Sequence, residues 1–249
     1  MLESLVGLKD FRQRVQWFIK EVDEPAISGD LMANGIRVSK IQFPEIFEWV
    51  NEIASIFNIP APQVFIVNEI RPNGFSHGID GRTYVGLTHG LIEQCDETSI
   101  RFLLGHEMGH IHCNHVLYLT MIHWLRNNPQ IAPNMVTEEM MGTLLAWMRY
   151  SELSADRAGL IACGDEDKSC LTLLTLLLGS VKLASRIDIR EYVAEQALSL
   201  HYNPLALSRQ SYESHPFMPF RIAELKKFAG SASYQSIVDR MKPIVIDLN

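Results

Sequence analysis

The chain has 249 residues, of which 47% are hydrophobic and 20% charged, a balance that excludes a mainly disordered protein and allows one large core. Acidic side chains outnumber basic ones by 29 to 22, for a formal net charge of -7, and no dense Lys/Arg stripe follows the chain, which argues against nucleic acid as a partner. Cys95, Cys113, Cys163 and Cys170 form no CxxC pair, are too few to staple a chain of this size, and read as reduced thiols.

Met1 to Asp10 mixes apolar and charged residues where a secretory signal would be basic and then apolar, so the cytoplasm is the expected compartment. Leu2, Leu5, Val6, Phe11, Val15, Phe18, Ile19 and Val22 recur at helical spacing and predict an amphipathic helix, followed by an irregular stretch. Residues 1–43 are thus expected to form an accessory segment ahead of a catalytic domain over 44–249. Pro44 suits the first turn of a second helix carrying Ile46, Phe47, Val50, Ile53 and Ile56, ending near Asn58-Ile59-Pro60. Gln63 to Asn68, Asn73 to Ile79 and Thr83 to Thr88 read as strands, the last two joined by the hairpin dipeptide Asp80-Gly81.

Nearly everything after Asp96 reads as helix. Asp96 caps a helix from Glu97 to about Arg126, Asn127 to Pro133 is a loop with two prolines, and Glu138 to Cys163 is another long helix. The apolar run from Leu171 to Leu183 is interrupted by Gly179, Ser180 and Lys182 and falls short of the roughly 20 residues that a membrane helix needs. It predicts a buried core helix and no integral span, leaving room for peripheral association with a membrane. The expected class is α+β, mostly α, with a small, partly antiparallel sheet before the helix that begins at Glu97.

That helix carries His106-Glu107-Met108-Gly109-His110, the pattern His-Glu-x-x-His. At about 100° per residue the two histidines stand about 40° apart, one turn along the same face, so both imidazoles reach one ion. Glu107 is turned about 100° away, unsuited to sharing the ion squarely and suited to a water beside it, which is the position of a general base. A catalytic zinc site takes three protein ligands, so a third His, Glu, Asp or Cys is expected from another element. Glu152, on the next long helix, is the choice, and Asp156 one turn later is placed to accept the free ring N–H of a ligating histidine.

Together these segments resemble the gluzincin peptidases of metallopeptidase family forty-eight, which include HtpX-like and CAAX prenyl endopeptidases. Asn73-Gly74-Phe75-Ser76 is similar to the family's Asn-Ala-Phe segment, His106 to His110 to its zinc motif, and Glu152-Leu153-Ser154-Ala155-Asp156 to its Glu-x-x-Ala-Asp. Ser214-His215-Pro216 with Arg221 resembles its C-terminal His-Pro and Arg. The resemblance implies a zincin-like fold, one Zn2+ per chain held by His106, His110 and Glu152, and a peptide or protein substrate. It also implies that Asp156 supports a ligand and that His215 and Arg221 stabilise the oxyanion. Gly74 departs from the usual alanine and is expected to loosen its strand, and the long membrane helices of many relatives are missing.

Asn73 to Ser76 is expected to be an edge strand that receives an extended substrate by backbone pairing. Projected along a straight helix, His112 and His115 fall about 200° and 140° from His110 and read as structural, as do Cys113, His77, His89, His123 and His201. The expected chemistry is peptide hydrolysis with Glu107 accepting the proton of an attacking water and returning it to the leaving amine. Two rivals stand beside it: a catalytically silent zinc-binding or chaperone-like module, and a hydrolase of non-peptide amides.

Overall fold

The computed structural model describes residues 9–79, 81–128, 130 and 136–241. Helix α1, Lys9–Phe18, runs through a π-helical turn, Ile19–Asp23, into α2, Glu24–Asn34. The stretch expected to be irregular is therefore largely helical, and it continues into strand β1, Gly35–Arg37. Pro25, Ser28 and Gly29 look like breakers in sequence, but Pro25 lies in the first turn, where its missing N–H costs nothing. Ile27 and Leu31 then pack on Phe65, Tyr84 and Phe75, and this tertiary burial overrides weak helix propensity. Leu2, Leu5 and Val6 and the Asp80 half of the expected turn lie outside the described residues.

Pro44 opens helix α3, Pro44–Phe57, which stops where Asn58 turns left-handed with φ 51. Strands β2 (Gln63–Val67), β3 (Gly74–Ile79) and β4 (Arg82–Thr88) complete a sheet of order β1-β2-β4-β3. β2 and β4 pair in parallel and the outer strands pair antiparallel. β3 is thus an edge, as expected of the segment that contains Gly74, Phe75 and Ser76. A short helix that the sequence reading missed, α4 (His89–Gln94), follows directly, capped by the Thr88 hydroxyl, which accepts from Leu91 N at 3.3 Å.

Asp96 caps α5 (Glu97–His112) as expected, its carboxylate accepting from Ser99 N at 3.0 Å. The helix does not run on to Arg126. Asn114 takes a left-handed φ of 56, His115 N bonds back to His110 O at 2.8 Å and Asn114 N to Ile111 O, closing α5 before α6 (Val116–Asn127) begins.

Helix α7 (Glu138–Cys163) packs antiparallel along α5, because Gly105 lies against Ala162, Gly109 against Ala158 and Gly159 against Phe102. The remaining helices are α8 (Glu166–Leu178), α9 (Val181–Ala184), α10 (Ile189–His201), α11 (Pro204–Gln210), α12 (Met218–Ala229) and α13 (Ala232–Met241). One core joins the sheet, α3 and α5; a second gathers Phe102, Leu160, Leu173, Leu174, Ile222 and Leu225 from α5, α7, α8 and α12. No helix among the described residues is long and apolar enough to cross a membrane.

Candidate active site

The two long helices bring His106, His110 and Glu152 together at the seam where glycines let them approach closely. All three are buried, and each offers a ligand atom within 4.8 Å of the others. Glu152 Oε2 lies 3.6 Å from His106 Nε2, and its Oε1 lies 3.5 Å from His110 Nε2. These gaps are wide for hydrogen bonds and close to the roughly 3.4 Å that separates tetrahedral ligands each about 2.0–2.1 Å from a zinc-sized ion. The donor set therefore fits a metal ion. Among the described residues no other group of three or more such side chains forms a cluster.

Each imidazole presents Nε2 to the cluster and is held from behind through Nδ1. His106 Nδ1 donates to Asp156 Oδ1 at 3.0 Å. Asp156 in turn accepts from Arg221 twice, from Nε at 2.9 Å and from Nη2 at 2.6 Å, a bidentate pair wholly inside the protein. Arg221 Nη2 also comes within 3.5 Å of Glu152 Oε2. α12 thus reaches back to the His106-His110-Glu152 cluster from the far end of the chain.

His110 has a different support. Its Nδ1 lies 3.1 Å from Nδ1 of His115, whose ring stands edge-on to Trp147 with centroids 5.3 Å apart. The straight-helix projection that set His115 apart from the ligands fails because the left-handed turn at Asn114 swings it back beneath His110. The signal was present, since Asn is a common helix-ending residue, and the run His112-Cys113-Asn114 could have been read as a stop. His112 instead packs near Phe57, and exposed Cys113 does not join the cluster.

The charges follow from these contacts. Burial works to raise the Glu152 carboxyl, but His215, His110 and Arg221 outweigh it and hold the pKa well below the ordinary range, so the carboxylate is ionised. Asp156 faces the same contest between burial and Arg221, and its pKa is also lowered. For His106 burial works downward, yet Asp156 and Glu152 prevail and raise it. Burial and the neighbouring His110 push His115 down to about 4, so it is neutral and able to accept the His110 N–H.

Glu107 is buried on α5 at 5% exposure and accepts from none of the ligands. A Cβ placed on Gly74 would lie 3.5 Å from Glu107 Cγ and 3.0 Å from Leu103 Cδ2, so the glycine brings the β3 backbone close over the helix. Phe75 points the other way, into the cluster with Leu31, Phe65 and Tyr84. His215, half-exposed, completes the surroundings, with Nε2 3.4 Å from Glu152 Oε2 and Nδ1 2.8 Å from the Ser214 hydroxyl.

With this geometry established, likeness to known proteins is informative. The model of Peptidase family M48 matches residues 40–229. The plastoglobule-localized metallopeptidase 48, chloroplastic, of Arabidopsis thaliana is 27% identical over 251 aligned positions, covering 96% of this chain and 72% of that protein. A Protease HtpX homolog of Moorella thermoacetica is 24% identical, covering 77% of this chain and 74% of its own. The crystal structure of S. mikatae Ste24p shares the fold with a TM-score of 0.51 at 16% identity, over 87% of this chain and 59% of that longer one. A family match across well over half the length, with a buried His-His-Glu cluster beneath a sheet edge, leads to one conclusion: the chain belongs to peptidase family M48 and is a metallopeptidase.

Proposed function

We propose that the chain is a zinc-dependent endopeptidase in which His106, His110 and Glu152 hold the ion and Glu107 is the general base. The observation that carries this reading is the placement of Glu107: buried beside the ligands, committed to none of them, and directly under the sheet edge at Gly74. Two imidazoles and one carboxylate are a donor set that suits zinc. When bound, the ion supplies Lewis acidity that lowers the pKa of a water from about 15.7 to near 7.

The chain's own residues do the rest. An extended substrate pairs with β3, which presents the scissile carbonyl above Glu107. Glu107 takes the proton of the attacking water and passes it to the leaving amine. His215, on the open side of Glu152, is placed to donate to the carbonyl oxygen as charge develops there. Arg221 was expected to share that task, but its guanidinium is committed to Asp156. That contact supports a positioning role, holding Asp156 and through it the His106 ring.

Glu107→Gln keeps size and removes the base. Metal content should stay at the wild-type level while kcat on an unstructured protein such as casein falls by about 10²-fold to 10⁴-fold. Wild-type turnover in this variant would overturn the mechanism. A wild-type protein that binds zinc but cleaves neither casein nor a peptide library would favour the silent, chaperone-like reading.

A further inference from the structure

The edge of β3 is open to a partner along only part of its length. Just before β3, Asn73 O accepts from Thr88 N at 3.1 Å while Asn73 N donates to the Thr88 hydroxyl at 2.9 Å, so Asn73 turns its backbone groups toward β4. Antiparallel pairs alternate, so in the recorded register Phe75, His77 and Ile79 also turn their backbone groups toward β4. Gly74, Ser76 and Gly78 turn theirs outward. An independent contact agrees: Gly78 N donates outward, to the Thr120 hydroxyl of α6 at 3.3 Å, and that hydroxyl approaches Gly78 O at 3.5 Å.

Thr120 is buried at 1% and its hydroxyl occupies the edge at Gly78, whereas no described residue bonds to the outward backbone groups of half-buried Gly74 or of Ser76, which is itself 6% exposed. Gly78 is held in this arrangement by its backbone as well. Its φ is 124, and a Cβ there would meet Arg82 O at 2.1 Å. On the neighbouring position His77 is tied to Asp23 at 2.6 Å, which fixes the covered end of the strand to the π-helical turn.

We propose that Thr120 is a specificity-determining residue that ends the substrate ladder after Ser76. An extended peptide then makes backbone hydrogen bonds over no more than about three consecutive residues on this side of the scissile bond, leading away from Glu107. Thr120 stands in for the next substrate residue by supplying its hydroxyl to both groups of Gly78. The enzyme would thus gain little from a long extended segment on that side, and would accept substrates in which only a short stretch is unfolded there. This inference rests on the peptidase reading above and on β3 as the docking strand.

The test is an N-methyl scan of one good peptide substrate, each backbone amide on both sides of the cleaved bond being methylated in turn. Methylation at residues paired with Gly74 and Ser76 should lower kcat/KM about tenfold each, the worth of a lost hydrogen bond or two, with no loss at positions further along. In Thr120→Ala, which frees the Gly78 groups, sensitivity should extend by one further paired residue, whereas Thr120→Ser should keep the short footprint. Melting temperatures of both variants establish that they are folded. A wild-type footprint running past the Ser76 partner, no sensitivity at any position, or an unchanged footprint in folded Thr120→Ala would each overturn the proposal. None of these results touches the peptidase reading itself, which fails only if no peptide is cleaved.

Discussion

At the scale of single residues, the two clustered histidines are supported by unlike partners, an anion behind His106 and a neutral imidazole behind His110. Losing either support frees a ring to rotate, and such losses typically cost about 10-fold to 100-fold in metal affinity. His115→Ala is expected to fall in that range by chelator competition, with His115→Asn, which keeps a carbonyl acceptor, recovering part of the loss. Wild-type affinity in His115→Ala would mean the contact is incidental. The raised pKa of His106 predicts a pH dependence with a definite sign. In the metal-free protein the protonated ring stabilises the fold below its unfolded pKa, and this is lost as pH rises through the higher folded value. Metal must displace that proton, so affinity is flat above the folded pKa and falls about tenfold per pH unit below it. The break should lie above the ordinary histidine value of about 6.5, and Asp156→Asn should move it down. A break at or below the ordinary value in the wild type would contradict the charge balance described.

At the scale of elements, the site depends on how closely α5 and α7 approach. A Cβ on Gly105 would lie 2.3 Å from Ala162 Cβ, and one on Gly109 would lie 2.5 Å from Ala158 Cβ, so these glycines allow the contact that sets Glu152 against the histidines. Gly105→Ala should cost about 1–3 kcal/mol by overpacking and weaken metal binding as the helices part. Ala162→Gly added to it should restore part of the affinity, a coupling that a double-mutant cycle measures. Additive effects would show that the helices part for another reason. This dependence also explains what sequence could reveal. The clustering of His106, His110 and Glu152, the Asp96 cap, the start at Pro44 and the span of the helix carrying Glu152 were legible because each is written in local spacing or in one capping residue. Helix α2 was not, since its stability comes from Leu31 and Ile27 packing on strands more than thirty residues away. His115 and Thr120 escaped for a related reason, and Arg221 was found only through the family resemblance, without its contact to Asp156. Their places depend on a chain reversal at Asn114 or on a helix from the far end of the chain, and a straight-helix projection carries neither.

At the scale of the whole molecule, the cluster joins parts of the chain that are far apart in sequence: α5 and α7 supply His106, His110 and Glu152, and α12 reaches them through Arg221 and Asp156. Without an ion, ionised Glu152 is buried at 3% exposure, its Oε2 3.5 Å from Arg221 Nη2 and 3.4 Å from His215 Nε2. A bound ion cross-links the helices, so its binding free energy appears as folding free energy. With free metal at about 100 times Kd the gain is about 2.7 kcal/mol. At about 2–4 °C per kcal/mol for a chain of this size, the melting temperature should rise by roughly 5–11 °C on adding zinc to the chelated protein. Glu107→Gln should keep this shift, because Glu107 is not a ligand, whereas Glu152→Gln should lose most of it along with metal content. The pairing of the two variants separates holding the ion from using it. Equal shifts in Glu152→Gln and wild type would remove Glu152 from the ligand set, and a lost shift in Glu107→Gln would move Glu107 from the base's role into the coordination sphere.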